Sequence, residues 1–160
     1  MHVRTLSCLA AGAFLLVATV NDVAAQQQVS GGGYAWFIRD ASPMELPDGR
    51  MVMRYSDRGF LSADDPDNPF HLVNFDCAGA VAMAAGGESG VMAGTCSGVD
   101  GDGDVYTLWW KGDDLTGGTW GLMNGSGKFE GIEGGGTFST GLNWTDGKLI
   151  NRWDGEWTMK

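Results

Sequence analysis

Carboxylates, His71 and the pair Cys77 and Cys96 are the residues whose types and spacing could do chemistry in this chain, since His2 and Cys8 fall in an N-terminal stretch that reads as a leader. Asp100, Asp102 and Asp104 alternate with glycines, as at the start of a calcium loop. The pattern then stops, because an EF-hand needs Gly at its sixth position and Glu at its twelfth, where this chain has Val105 and Lys111. An acidic hairpin explains the run better, and no metal is expected. Gly125, Gly127, Lys128 and Gly131 look superficially like a nucleotide loop. They lack the Gly-Lys-Ser/Thr ending and lead into Gly134, Gly135 and Gly136. No helix follows to hold a phosphate on its N-terminus, so no nucleotide cofactor is expected.

Once a leader is removed, His71 is the only histidine, and it lies between Phe70 and Leu72 at the start of an apolar run. A histidine there suits a structural role, and histidine metal sites want two or more ligands. Asp76 sits between Phe75 and Cys77, and by alternation it shares a face with Phe70, Leu72, Asn74 and Ala78. On a buried face such a carboxyl would have a raised pKa and could serve as a general acid or base. On the opposite face it meets solvent, and alternation alone does not choose. Glu130 is the second candidate for proton transfer. Cys77 and Cys96 form an even pair, which in a secreted chain favours a disulfide worth roughly 3 kcal/mol. Two buried thiols or one reactive thiol are the competing readings. With the bridge formed, neither sulfur is a nucleophile.

These residues must be positioned by strands. Leu149, Trp153, Trp157 and Met159 fall on one face of the last segment, while Ile150, Arg152, Asp154, Glu156 and Thr158 fall on the other. That two-residue period describes a strand with one buried and one wet face. Similar runs lie at 70–81, 91–97, 105–111, 119–123 and 136–144, with weaker ones at 34–39 and 51–55. Asn124-Gly125 and Asp146-Gly147 supply the residues that tight hairpins need. Seven or eight closely spaced strands predict an all-β fold, a small antiparallel barrel or sandwich. The stretch 56–69 reads as a long loop and 26–33 as a flexible tail, leaving 34–160 as one domain.

Adjacent Trp109 and Trp110 must point to opposite faces, so one of them lies outside. Trp110, Trp120, Phe138, Trp144, Trp153 and Trp157 are the expected lining of a ligand site. Residues 1–25 read as a cleaved signal peptide: Arg4, a 12-residue apolar run from Leu9 to Val20, then small residues at Val23 and Ala25. That run is too short for a stable membrane span. Cleavage would remove Arg4 and Asp22, one charge of each sign, so the net charge of −10 is unchanged. Twice as many acids as bases leaves no electrostatic footprint for phosphate, so no nucleic-acid partner is expected. The product is expected to be secreted or periplasmic, with no membrane span.

The segment from Asn124 to Phe138, with Gly125, Gly127 and Phe129 followed by Gly131, Gly134, Gly135 and Gly136, resembles the late glycine-rich segment of allene oxide cyclases and dirigent proteins. Asn68-Pro69-Phe70 and Cys77-Ala78-Gly79 agree more loosely with the early cyclase pattern. The resemblance implies an eight-stranded, calycin-like barrel, with secreted bacterial-type relatives among such barrels. It also implies an interior that either steers a fatty-acid epoxide to ring closure or orients phenoxy radicals for coupling. No early-strand motif places the cyclase's catalytic glutamate on this chain. The expectation is therefore a secreted β-barrel holding a small apolar or aromatic molecule. The alternatives are a cyclase or isomerase using Asp76 or Glu130, and a structural or surface protein with a filled core.

Overall fold

The computed structural model describes residues 27–159, so the expected signal peptide lies outside the described residues. Eight strands follow one another as β1 (Gln27–Glu45), β2 (Met51–Ala63), β3 (Asn74–Met83), β4 (Gly90–Val99), β5 (Val105–Gly112), β6 (Gly117–Gly125), β7 (Glu133–Asn143) and β8 (Lys148–Met159). Each pairs antiparallel with its sequence neighbour, and β1 closes on β8, so the sheet is a closed barrel with no free edge. Alternation decides which side chains enter it. Ala35 and Phe37 on β1, Phe75 and Cys77 on β3, and Leu149, Trp153 and Trp157 on β8 are all buried, while their even-numbered neighbours face outward.

Two stretches differ from expectation. Residues 27–33, read as a tail, are the first half of β1, with Val29 opposite Trp157 and Gly33 opposite both Trp153 and Ala63. Gly31, Gly32 and Gly33 carry no alternating side chains, which is why the strand is silent in the sequence. Neighbouring groups of Asn68, Asp154 and Ser62 occupy the space their Cβ atoms would need. Residues 56–63, read as part of a loop, continue β2. Their polar character masks the alternation, since Asp57 points inward and Arg58 outward. Gly59 passes directly against the Trp36 carbonyl, a close approach that a side chain would block.

The two ends of the barrel differ. At one end the connection 64–73 and the 3-10 turn Gly127–Phe129 push Phe70, Val73, Phe129 and Ile132 into the opening. Phe70 meets Tyr106 and Trp157 edge-on at 4.8 and 4.7 Å between ring centroids and lies parallel to Phe129 at 5.7 Å. This aromatic plug closes that end. The Asp100 hairpin braces it: Oδ1 of Asp100 accepts from the backbone N–H groups of Asp102 and Asp104, and Lys128 Nζ lies 2.6 Å from Oδ2. The other end, framed by the β1–β2, β3–β4, β5–β6 and β7–β8 hairpins, is not filled.

Candidate functional site

Inside the barrel, between the plug and the unfilled end, is a cavity of about 250 Å³. Apolar cavities of roughly 150 Å³ accept a benzene-sized molecule, so this one suits a larger ring system. Met53, Met83, Met92 and Leu115, all partly buried, form its mouth. Aromatic side chains form its wall. Trp110 lies flat on the glycine pair Gly79 and Gly94 of β3 and β4, where any side chain would collide with its indole. It stacks with Tyr55 at 5.9 Å and 23° between planes, and meets Phe138 edge-on at 6.2 Å.

The cysteines are joined. Cys77 and Cys96 stand directly opposite each other on β3 and β4, with Cα atoms 4.0 Å apart, and their disulfide is part of the cavity wall. The pairing closes the alternatives left open by counting, and neither sulfur is available as a nucleophile.

One ion pair is held on this wall. Arg39 Nε and one terminal nitrogen donate to the two oxygens of Asp57, both at 2.8 Å. Asp57 is 4% exposed, and the Arg39 side chain 20%. The bidentate geometry satisfies both carboxylate oxygens, which is what makes a charge tolerable at such depth. The Arg39 guanidinium also lies 3.9 Å from the centre of the Tyr55 ring. Burial works against the Arg39 charge, but the hydrogen bonds and attraction of Asp57 outweigh it and leave the guanidinium pKa raised. Burial pushes the Tyr55 hydroxyl up to about 12, against the pull of Arg39. The result is an aromatic cavity with a single fixed, neutralised pair of charges toward its mouth.

Three residues that line the cavity each carry a polar atom buried without a hydrogen-bond partner: the Tyr106 hydroxyl, Asn151 Oδ1 and Trp153 Nε1. Trp120 contrasts with them, since its Nε1 donates to the Thr137 carbonyl at 3.1 Å. An unpaired buried group costs about 1–3 kcal/mol. Burial also raises the Tyr106 pKa well above its ordinary value, so this hydroxyl stays neutral.

Of the residues expected to line a site, Trp110, Trp120, Phe138 and Trp153 are brought together on the cavity wall. Trp157 is buried behind Trp153, and its Nε1 is also unpaired. Trp144 sits in the β7–β8 hairpin, 46% exposed and apart from the cavity. Asp76 is exposed on the outer, even-numbered face of β3, and Glu130 is exposed after the 3-10 turn, so neither carboxylate reaches the interior. Trp109 is the outward member of its pair. Among the described residues, no group of three or more side chains is placed to hold a metal ion, and no helix is long and apolar enough to cross a membrane.

Arg39, Tyr55 and Asp57 were not singled out by the sequence reading. The available signal was a charge at an inward position of two alternating runs, Ala35-Phe37-Arg39 and Tyr55-Asp57, with opposite signs.

No family model matches the sequence, and no curated protein matches it. Solved structures do. The pterocarpan synthase dirigent protein GePTS1 is similar with a TM-score of 0.54 at 15% identity, over 94% of this chain and 99% of its own. The pterocarpan synthase dirigent protein PsPTS1 gives 0.51 at 16% identity, over 83% of this chain and 96% of its own. At such identity the likeness establishes a dirigent-like barrel fold.

Proposed function

We propose that the protein is a secreted or periplasmic barrel that binds one small apolar or aromatic molecule in its interior. The observation that carries this reading is the aromatic cavity itself, closed by the plug at one end and open between methionines at the other. Trp110, Trp120, Phe138 and Trp153 are the proposed contacts, and the flexible methionine mouth suits the entry of ring-shaped molecules of different outline. The disulfide accords with an oxidising compartment. The dirigent-like neighbours, described as pterocarpan synthases, support a barrel whose interior handles small molecules.

Naphthalene, a bicyclic hydrocarbon with no polar group, is the minimal probe. Titrated into the protein, it should change the tryptophan emission saturably and with one-to-one stoichiometry. A linear, unsaturable response would overturn the reading.

A second reading, a cyclase or isomerase, is favoured by one specific observation, the Arg39–Asp57 pair in an otherwise apolar cavity. A carboxylate oriented by an arginine is suited to moving a proton on a bound substrate, and in that reading Asp57 takes the role the sequence gave to Asp76 or Glu130.

A further inference from the structure

The outside of the barrel carries two neighbouring rows of side chains with opposite character. Register sets Phe60, Trp36, Ile150 and Leu142 opposite one another across β2, β1, β8 and β7, on the outward face. Trp36 is 40% exposed, Phe60 42% and Leu142 56%. The Trp36 and Phe60 ring planes lie within 12° of parallel, with centroids 6.3 Å apart. The next row, about 7 Å along β1, is Ser62, Tyr34, Arg152 and Ser139, each a hydrogen-bonding side chain. Arg152 is fixed in place there. Its terminal nitrogens donate to Asp64 Oδ1 at 2.9 Å and Asp154 Oδ1 at 2.8 Å, and its guanidinium lies 5.2 Å from the centre of the Tyr34 ring. Asp64 and Asp154 are both more than half exposed, so their remaining lone pairs are open to solvent.

We propose that this outer face binds an uncharged glycan, a β-linked chain of pyranose rings that lies along the apolar row with hydroxyls turned to the polar row. Such a sugar is amphipathic in the same sense as the two rows. Its ring presents a C–H face, and its edge is lined with hydroxyls. The C–H face stacks on the aromatic rings, whose negative π-faces attract the positively polarised hydrogens. The hydroxyls donate to the open lone pairs of Asp64 and Asp154, and they exchange hydrogen bonds with Ser62, Tyr34 and Ser139. Four strands at about 4.8 Å spacing give the rows a span of about 14 Å, room for a short run of rings. Charge sets this occupant apart from others. One guanidinium between two carboxylates leaves the cluster negative, and the whole chain carries −10. An acidic polysaccharide or an anionic membrane surface is therefore repelled, and a second copy of the chain meets the same repulsion. The site is outside the barrel and does not depend on the cavity reading.

Calorimetry on the disulfide-bonded protein at neutral pH, with cellohexaose, maltohexaose and an oligogalacturonate as probes, tests the proposal. Cellohexaose, uncharged and extended, should saturate with a Kd below about 1 mM. Maltohexaose, whose α-linkages coil the chain, should bind at least about tenfold more weakly, and the anionic oligogalacturonate should not saturate. Trp36→Ala and Phe60→Ala should each weaken cellohexaose binding, the first at least about tenfold. Both should leave naphthalene binding and the melting temperature unchanged, because the two side chains lie outside the barrel. Failure of cellohexaose to saturate would overturn the proposal, as would equal binding of either control sugar or an affinity untouched in both variants. Self-association by light scattering that vanishes in Trp36→Ala would overturn it too, since the face would then belong to a second copy. None of these results decides the cavity reading, which the naphthalene titration reports separately. A variant that fails to fold leaves the wild-type ranking of the three sugars to decide.

Discussion

Arg39 and Asp57 hold each other in place, and their loss should be unequal. Arg39→Met strands a carboxylate that is 4% exposed, whereas Asp57→Leu leaves a guanidinium with a long stem and a route to water. The first should cost about 3 kcal/mol in chemical denaturation and the second clearly less, while the double variant should recover most of the loss. Tyr55 gives a residue-scale test of the same environment. Its hydroxyl ionises near 12 when folded and near 10 when unfolded. The unfolded chain therefore releases this proton first, and the contribution of Tyr55 to stability is complete below about pH 10 and lost as pH rises toward 12. Spectrophotometric titration should show Tyr55 lagging until that window, with Tyr106 ionising only as the barrel opens. Asp57 went unseen in the sequence because a lone acid between serine and arginine looks solvated. Only its register opposite Arg39 across β1 and β2 reveals the pair.

At the scale of elements, the glycines of β3 and β4 fix where Trp110 lies. Gly94→Val should lift the indole from its seat into the cavity, abolishing saturable naphthalene binding while the disulfide still forms. A variant that binds naphthalene as before would show that Trp110 does not define the wall. The strands differ in how openly the sequence announces them. β8 is legible residue by residue because its buried and wet faces have different compositions, and the turn at Asp146-Gly147 follows from turn chemistry. Asn124 and Gly125, expected to form a tight hairpin, are instead paired within β6, and the chain reverses over 126–132. The early half of β1 is hidden because three successive glycines carry no pattern, and its pairing with β8 depends on barrel closure. The plug is hidden for a similar reason. Phe70 looks like the start of a strand, and only the closed barrel turns it into a stopper.

At the scale of the whole molecule, closure, plug and disulfide act together. The sheet has no edge to protect, so the barrel is held by ladders all round and by the Cys77–Cys96 bridge within one hairpin. Reduction should lower stability by about 3 kcal/mol, seen as a shift of the urea midpoint with and without reductant. No shift would mean that β3 and β4 need no clamp. Two groups of hydrophobic side chains compete for an apolar probe. The inner group lines the cavity, and the outer one includes Tyr34, Trp36 and Phe60, with Trp36 and Phe60 stacked across β1 and β2 at 6.3 Å. The most direct measurement is therefore a methyl NMR titration with naphthalene, following methionine and leucine side chains. The interior methyls of Met53, Met83, Met92, Leu108 and Leu149 should shift together and saturate, while exposed Met44, Leu72, Met123 and Leu142 stay still. Shifts confined to the exposed set, or none at all, would contradict an internal binding site.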